Sequence, residues 1–196
     1  MDTKDLILKV SKEEFILRGY DNASLRIIAK RCHISATAIY RHFQNKEEIF
    51  EAVIEPFINH FNQMTKYIEN TDNEYLKNEK VSEIWDFEHD GSFQYNLLFG
   101  EYNDLVKLIV MERKKWFKDF IVNYEFDATI RYIDQMKKEG YKIKDFNLIS
   151  FRLLLDSYLE AYLNLLDKEI SKEELFSICN EINDFYTIGF RNLLGF

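Results

Sequence analysis

The run Ser24–Lys46, SLRIIAKRCHISATAIYRHFQNK, constrains the fold of this chain more than any other stretch. It holds five basic residues (Arg26, Lys30, Arg31, Arg41, Lys46), two histidines and no acid, in a protein of formal net charge −8. Leu25, Ile28, Ala29 and Cys32 fall at i, i+3, i+4 and i+7, the spacing of a short helix with one buried stripe. A break follows at His33-Ile34. Ser35 then offers a hydroxyl N-cap, and Ala36–Phe43 reads as a second short helix buried through Ile39 and Phe43. Two short helices, a tight turn between them, and basic and hydrogen-bonding side chains left outward predict a helix-turn-helix that reads DNA.

The charge distribution supports a DNA contact confined to one end. Residues 1–47 carry net +3 and residues 48–196 net −11. An acidic body repels phosphate and keeps the duplex at the basic head. Acidity alone is common in bacterial cytosolic proteins and carries little weight for the body; the acid-free run is the informative part. We therefore divide the chain into 1–47, a DNA-binding head, and 48–196, a body.

The rest of the chain reads as helical. Six glycines, one proline and 46% hydrophobic residues disfavour a many-turned sheet protein and favour long helices around a sizeable core. Thr3–Arg18 is predicted as a first helix packed through Ile7, Val10 and Phe15, with Gly19 ending it as an αL residue. Ser24 is predicted to cap the next helix. Asn45 can cap a fourth, Asn45–Glu69, with Glu48 completing a box-like arrangement and Pro56 as a bend or hinge. Asn70–Asn78 is the best loop candidate and Glu88–Ser92 a second break. Further helices are expected at Glu79–Phe87, Phe93–Phe99, Asn103–Asn123, Tyr124–Glu139, Phe146–Leu166 and Lys172–Leu194, with Gly140 as a C-cap.

Preceded by Gly19-Tyr20, with Ser24, Ile28-Ala29, Ile34-Ser35, Tyr40, His42-Phe43 and Lys46 in register, the first 50 or so residues closely resemble the TetR family of bacterial transcriptional regulators. His33 stands where that family commonly has a turn glycine, so either the turn does without a positive φ or the histidine tolerates one at some cost. Thr37 stands where a small residue usually opens the recognition helix, which bears on base preference. The resemblance implies an all-α protein with a three-helix head and a helical-bundle body. It implies that Tyr40, His42 and Lys46 contact phosphates, with Arg26, Ala36 and Thr37 placed for bases or nearby phosphates. It also implies a homodimer built from the last two helices, and release from operator DNA when a small molecule binds the body.

Phe146–Leu166 and Leu175–Leu194 have apolar stripes wider than one core face needs, which fits either a dimer interface or deep burial. Between Trp85 and Tyr124 the chain is rich in aromatics. We name Trp85, Phe99, Tyr102 and Trp116 as candidates to line a pocket for an apolar, aromatic or acyl-like effector, or for a cation resting on an aromatic face. Plain core is the competing reading of the same aromatics.

No catalytic motif is present: there is no Gly-rich phosphate loop, G-x-S-x-G elbow or H-E-x-x-H. Glu88-His89-Asp90 has metal-binding composition without converging spacing, so no metal and no cofactor are expected. Cys32 and Cys179 are far apart and outside any CxxC pair, which points to a reducing cytosol. The N-terminus lacks a signal-peptide core, and Leu148–Leu166 is interrupted by Arg152, Asp156 and Glu160, so no membrane span is expected. The rival to a DNA-binding regulator is a helical co-regulator or adaptor controlled by a protein partner; a helical enzyme fits less well.

Overall fold

A computed structural model describes residues 2–77 and 92–195. Among them the protein is all-helical, with α1 Thr3–Asn22, α2 Leu25–Arg31, α3 Ala36–Ile39, α4 Lys46–Lys77, α5 Ser92–Phe99, α6 Asn103–Lys138, α7 Leu148–Leu163 and α8 Lys172–Leu194. The predicted helix Glu79–Phe87 and most of the break at Glu88–Ser92 lie outside the described residues. Among those described, no helix is long and apolar enough to cross a membrane.

Helix α1 begins at a reciprocal capping box, Asp2 Oδ1 accepting from Asp5 N–H at 2.8 Å. Its buried face is Ile7, Val10 and Phe15, as the spacing predicts. Gly19 breaks the helix, but at φ 77° and ψ 160°, not in the αL region. That corner of conformational space is open essentially to glycine alone. One further turn follows, closed by Ala23 N–H on Gly19 O at 3.1 Å.

The turn of the helix-turn-helix settles the question at His33, which holds φ 56° where a glycine would be unstrained. Ser35 caps α3 as expected, its Oγ accepting from Ala38 N–H at 3.1 Å. Ser24, by contrast, occupies the N-cap position of α2 without a side-chain bond. Asn45 Oδ1 accepts from Glu48 N–H at 2.9 Å, while the Glu48 carboxylate takes the Gln44 N–H, one residue before the predicted partner.

Three boundaries differ from the sequence reading. The recognition helix is α-helical only over Ala36–Ile39 and continues as turns. The polar stretch after residue 69 is helix as far as Lys77, because it has many polar side chains but no glycine or proline to break it. The two predicted helices Asn103–Asn123 and Tyr124–Glu139 form one, α6, kinked at Arg113 (φ −145°, ψ 42°). Pro56 lies inside α4 without ending it. Gly140 does end α6, at φ 92°.

The chain packs as two compact units, Met1–Gln63 with Asp104–Lys114, and Met64–Asn103 with Lys115–Phe196. The first unit therefore extends beyond residue 47, the point where the charge changes sign. It takes in the first half of α4 and the start of α6, and both helices supply residues to each unit. Its core joins Ile7, Phe15, Ile28, Ile39 and Phe43 to Phe50, Phe57 and Ile109. Each such buried side chain contributes about 1.5–3 kcal/mol. In the second unit α5, α7 and α8 pack together. Tyr162, fully buried there, donates its hydroxyl to Cys179 O at 3.2 Å.

Candidate nucleic-acid interface

The head folds so that α2 and α3 bury Ile28, Ala29 and Ile39 and leave polar side chains in solvent. Arg26, Thr37, Arg41 and His42 are exposed, and Tyr40 is 56% exposed, so it does not pack beneath the head. Ala36 is half-buried at the first position of α3.

The five cations of the acid-free run have different surroundings. Arg31 is committed to α1, paired with Glu13 and lying 3.6 Å from the buried Glu14, which Arg18 also meets at 2.9 Å. Lys46 turns inward. Its Nζ donates to the carbonyls of Tyr20 (2.6 Å), Asp21 (3.1 Å) and Ala23 (3.4 Å), and lies 4.4 Å from the Tyr20 ring centroid. It thereby gives a charged donor to carbonyls at the end of α1, that of Tyr20 also accepting from Ala23 N–H at 3.3 Å. Arg26, Lys30 and Arg41 make no ion pair among the described residues and stand in solvent. Lys30 and Arg41 thus join the sequence-derived candidates; their exposure could be read only once the helices were packed.

Beside Lys46, an aromatic and ionic cluster braces the head. Phe15, Tyr20 and Phe50 meet with ring centroids 5.1–5.6 Å apart. Glu47 accepts the Tyr20 hydroxyl at 2.9 Å and is paired with Arg113, whose guanidinium lies 4.6 Å from the Phe50 centroid. The Arg113 hydrogen bond, more than that of Tyr20, holds the Glu47 carboxyl below its ordinary value. Burial and then Glu47 push the Tyr20 phenol up to about 12. No sequence pattern marked Arg113; the kink in α6 and this pairing identify it.

A second candidate site lies within the other unit. A cavity of about 430 Å³ is walled by α4, α5, α6, α7 and α8. Its aromatic lining is Phe93, Tyr124, Tyr132, Phe151, Tyr158 and Phe190. Phe99, Tyr102 and Trp116 do not line it, and Trp85 lies outside the described residues. Trp116 instead stacks on Phe120 at 5.4 Å and is 42% exposed. The aromatics that line this cavity are not the ones densest in sequence, because helix rotation decides which rings turn inward.

No three His, Cys, Asp or Glu side chains converge as a metal site among the described residues, and Glu88-His89-Asp90 falls outside them. Both cysteines are free and buried; burial raises the Cys32 thiol and brings Cys179 to about 11, so neither is poised as a nucleophile.

Residues 7–53 match the family model described as bacterial regulatory proteins, tetR family. The head is a TetR-family helix-turn-helix. With that TetR-family head, the chain is 26% identical over 131 residues to IcaR of Staphylococcus epidermidis, the negative transcriptional regulator of a biofilm operon. That match covers 67% of this chain and 69% of IcaR. A second relative, the transcriptional activator FasR of Mycolicibacterium smegmatis, is 33% identical over 103 residues, 51% of this chain but only 46% of FasR. A solved Clostridium perfringens structure, provisionally described as a fatty acid metabolism regulator, shares the fold at TM-score 0.60 and 22% identity, over 97% of this chain and 99% of that one. Both named relatives are transcriptional regulators, and the family model covers the head alone.

Proposed function

We propose that the protein is a repressor that binds operator DNA as a homodimer and is released by a small molecule held in the cavity. The observation that carries this reading is the solvent-facing set Arg26, Thr37, Tyr40, Arg41 and His42 on a head whose Ser24–Lys46 run has no acid. Tyr40, His42 and Lys46 serve as phosphate contacts, and Arg26, Ala36 and Thr37 reach bases or nearby phosphates.

One head covers one half-site, and specificity takes two heads about 34–36 Å apart. The apolar surface suited to joining two copies lies on α7 and α8, where Ile149 (73%), Leu153 (65%), Phe185 (73%) and Ile188 (59%) are exposed. Exposure of that much aliphatic and aromatic surface favours a partner over solvent. The effector acts by preferring a conformation with a different head separation, and α4 and α6, which supply both units, transmit the choice.

Repression is the sign borne by the IcaR name. Sequencing the genomic DNA that the protein retains should yield a palindromic operator, and a reporter under that operator should rise when the protein is absent. Failure to retain DNA at low salt would sink the reading in favour of a partner-controlled adaptor.

A further inference from the structure

We propose that Lys4, on α1 and outside the helix-turn-helix, is a further phosphate contact, so that the DNA-binding surface runs from the end of α3 onto the start of α1. This rests on the reading that the head binds DNA. Two of the five cations in Ser24–Lys46 are drawn into the fold, Arg31 by Glu13 and Lys46 by carbonyls at the end of α1. Arg26, Lys30 and Arg41 remain in solvent. Lys4 adds a cation where that run leaves the recognition helix. Its Nζ lies 5.6 Å from the ring centroid of Phe43, which directly follows the exposed Tyr40, Arg41 and His42.

Helix geometry puts it there. Ile7, three residues on, is fully buried and Leu8, four on, is half-buried, so the Lys4 stem leaves α1 beside the core stripe. It then reaches Phe43, whose ring is itself buried and attracts the ammonium. Lys4 is exposed and makes no ion pair among the described residues. Two carboxylates close by in sequence would oppose a phosphate, but both are engaged in the capping box. Asp2 Oδ1 accepts from Asp5 N–H at 2.8 Å and Asp5 Oδ2 from Asp2 N–H at 3.4 Å. Side chains one or two positions apart on a helix do not face each other, so neither is placed to pair with Lys4. An ammonium held by a ring and not by a carboxylate keeps its charge available to DNA.

The test measures binding of the intact protein to a mixed-sequence DNA duplex across a salt series, because a phosphate contact serves every sequence alike. Lys4→Met keeps an apolar stem over Phe43 and removes the charge. It should lower the slope of log affinity against log salt by about 1 per head. The advantage of wild type then shrinks about 3.5-fold per head between 50 and 200 mM salt. Lys4→Arg should restore the slope. Lys9→Met removes the same unit charge from an exposed position about 140° around α1 and should leave the slope unchanged. If Lys4→Met unfolds the head, Lys4→Gln makes the same test.

An unchanged slope in Lys4→Met overturns the contact, and a lowered slope in Arg41→Ala beside it leaves the DNA-binding head standing. An equal fall in Lys4→Met and Lys9→Met also overturns it, since net charge and not position then sets the effect. So does a slope that Lys4→Arg does not restore. Wild-type protein that ignores the duplex at low salt overturns the contact and the DNA reading together.

Discussion

On Lys46 two demands meet in one ammonium group. Family position assigns it to a phosphate, while its three donors already serve Tyr20, Asp21 and Ala23. The two jobs leave different traces. Lys46→Ala should lower stability by about 1–2 kcal/mol in urea unfolding, because carbonyls at the end of α1 lose a charged donor. It should also reduce the salt slope of DNA binding by about 1 per head. A lower melting point with an unaltered slope would assign Lys46 to the cap alone. Its neighbour Glu47 makes a pH prediction. Its folded pKa lies below the ordinary 4.5, so it contributes stability above that value, and the contribution is lost as pH falls through the folded value. Glu47→Gln should flatten the acid limb of the stability curve below the ordinary carboxyl value. The side chain is 41% exposed, so solvent screening reduces the effect. An acid limb identical to wild type would remove Glu47 as its source.

The turn between α2 and α3 carries a local cost that the rest of the head offsets. His33 holds φ 56° with its side chain exposed, and a β-carbon there costs about 1–2 kcal/mol. His33→Gly removes that strain but gives the unfolded chain more freedom, worth about 0.5–1 kcal/mol. The balance predicts a gain of about 0.5–1 kcal/mol in thermal or urea unfolding. A loss on substitution would mean that His33 makes a favourable contact outweighing its backbone. At the same scale, α6 shows how a helix joins two packing environments. Leu105, Val106, Leu108 and Ile109, before its kink, are buried in the first unit, and Ile121, Val122, Ile133 and Met136, after it, in the second. The kink falls at Arg113, the residue whose guanidinium pairs with Glu47.

In the whole molecule, the proposed dimer is tested most cleanly at Gly189. It is exposed on α8, and a β-carbon added there meets nothing within 4 Å in the single chain. Gly189→Trp should therefore leave the isolated chain's packing alone and act only across a close helix–helix interface. There overpacking costs about 1–3 kcal/mol, or roughly five- to 140-fold in dimer dissociation. Sedimentation equilibrium reads this directly. DNA affinity should weaken in parallel, since a lone head covers half an operator. A wild-type protein that is monomeric at micromolar concentration would end the dimer reading.

The sequence by itself determined what depends on neighbours along the chain. The helix-turn-helix was legible because caps, turn residues and the i, i+3, i+4 stripe act within a few positions, as at Ser35 with Ala38 and at Ile28 with Cys32. The acid-free run and the basic head were legible because charge is a property of residues before it is one of geometry. Tertiary structure alone decided which charges remain in solvent. Lys46 is taken up by Tyr20, 26 residues away, Arg31 by Glu13, 18 away, and Glu47 by Arg113, 66 away. It also decided which aromatics line the cavity: Tyr124, Phe151 and Phe190 do, whereas Trp116 stacks on Phe120 near solvent. Contacts at such separations are set by how helices rotate and pack against one another, and no local spacing encodes that.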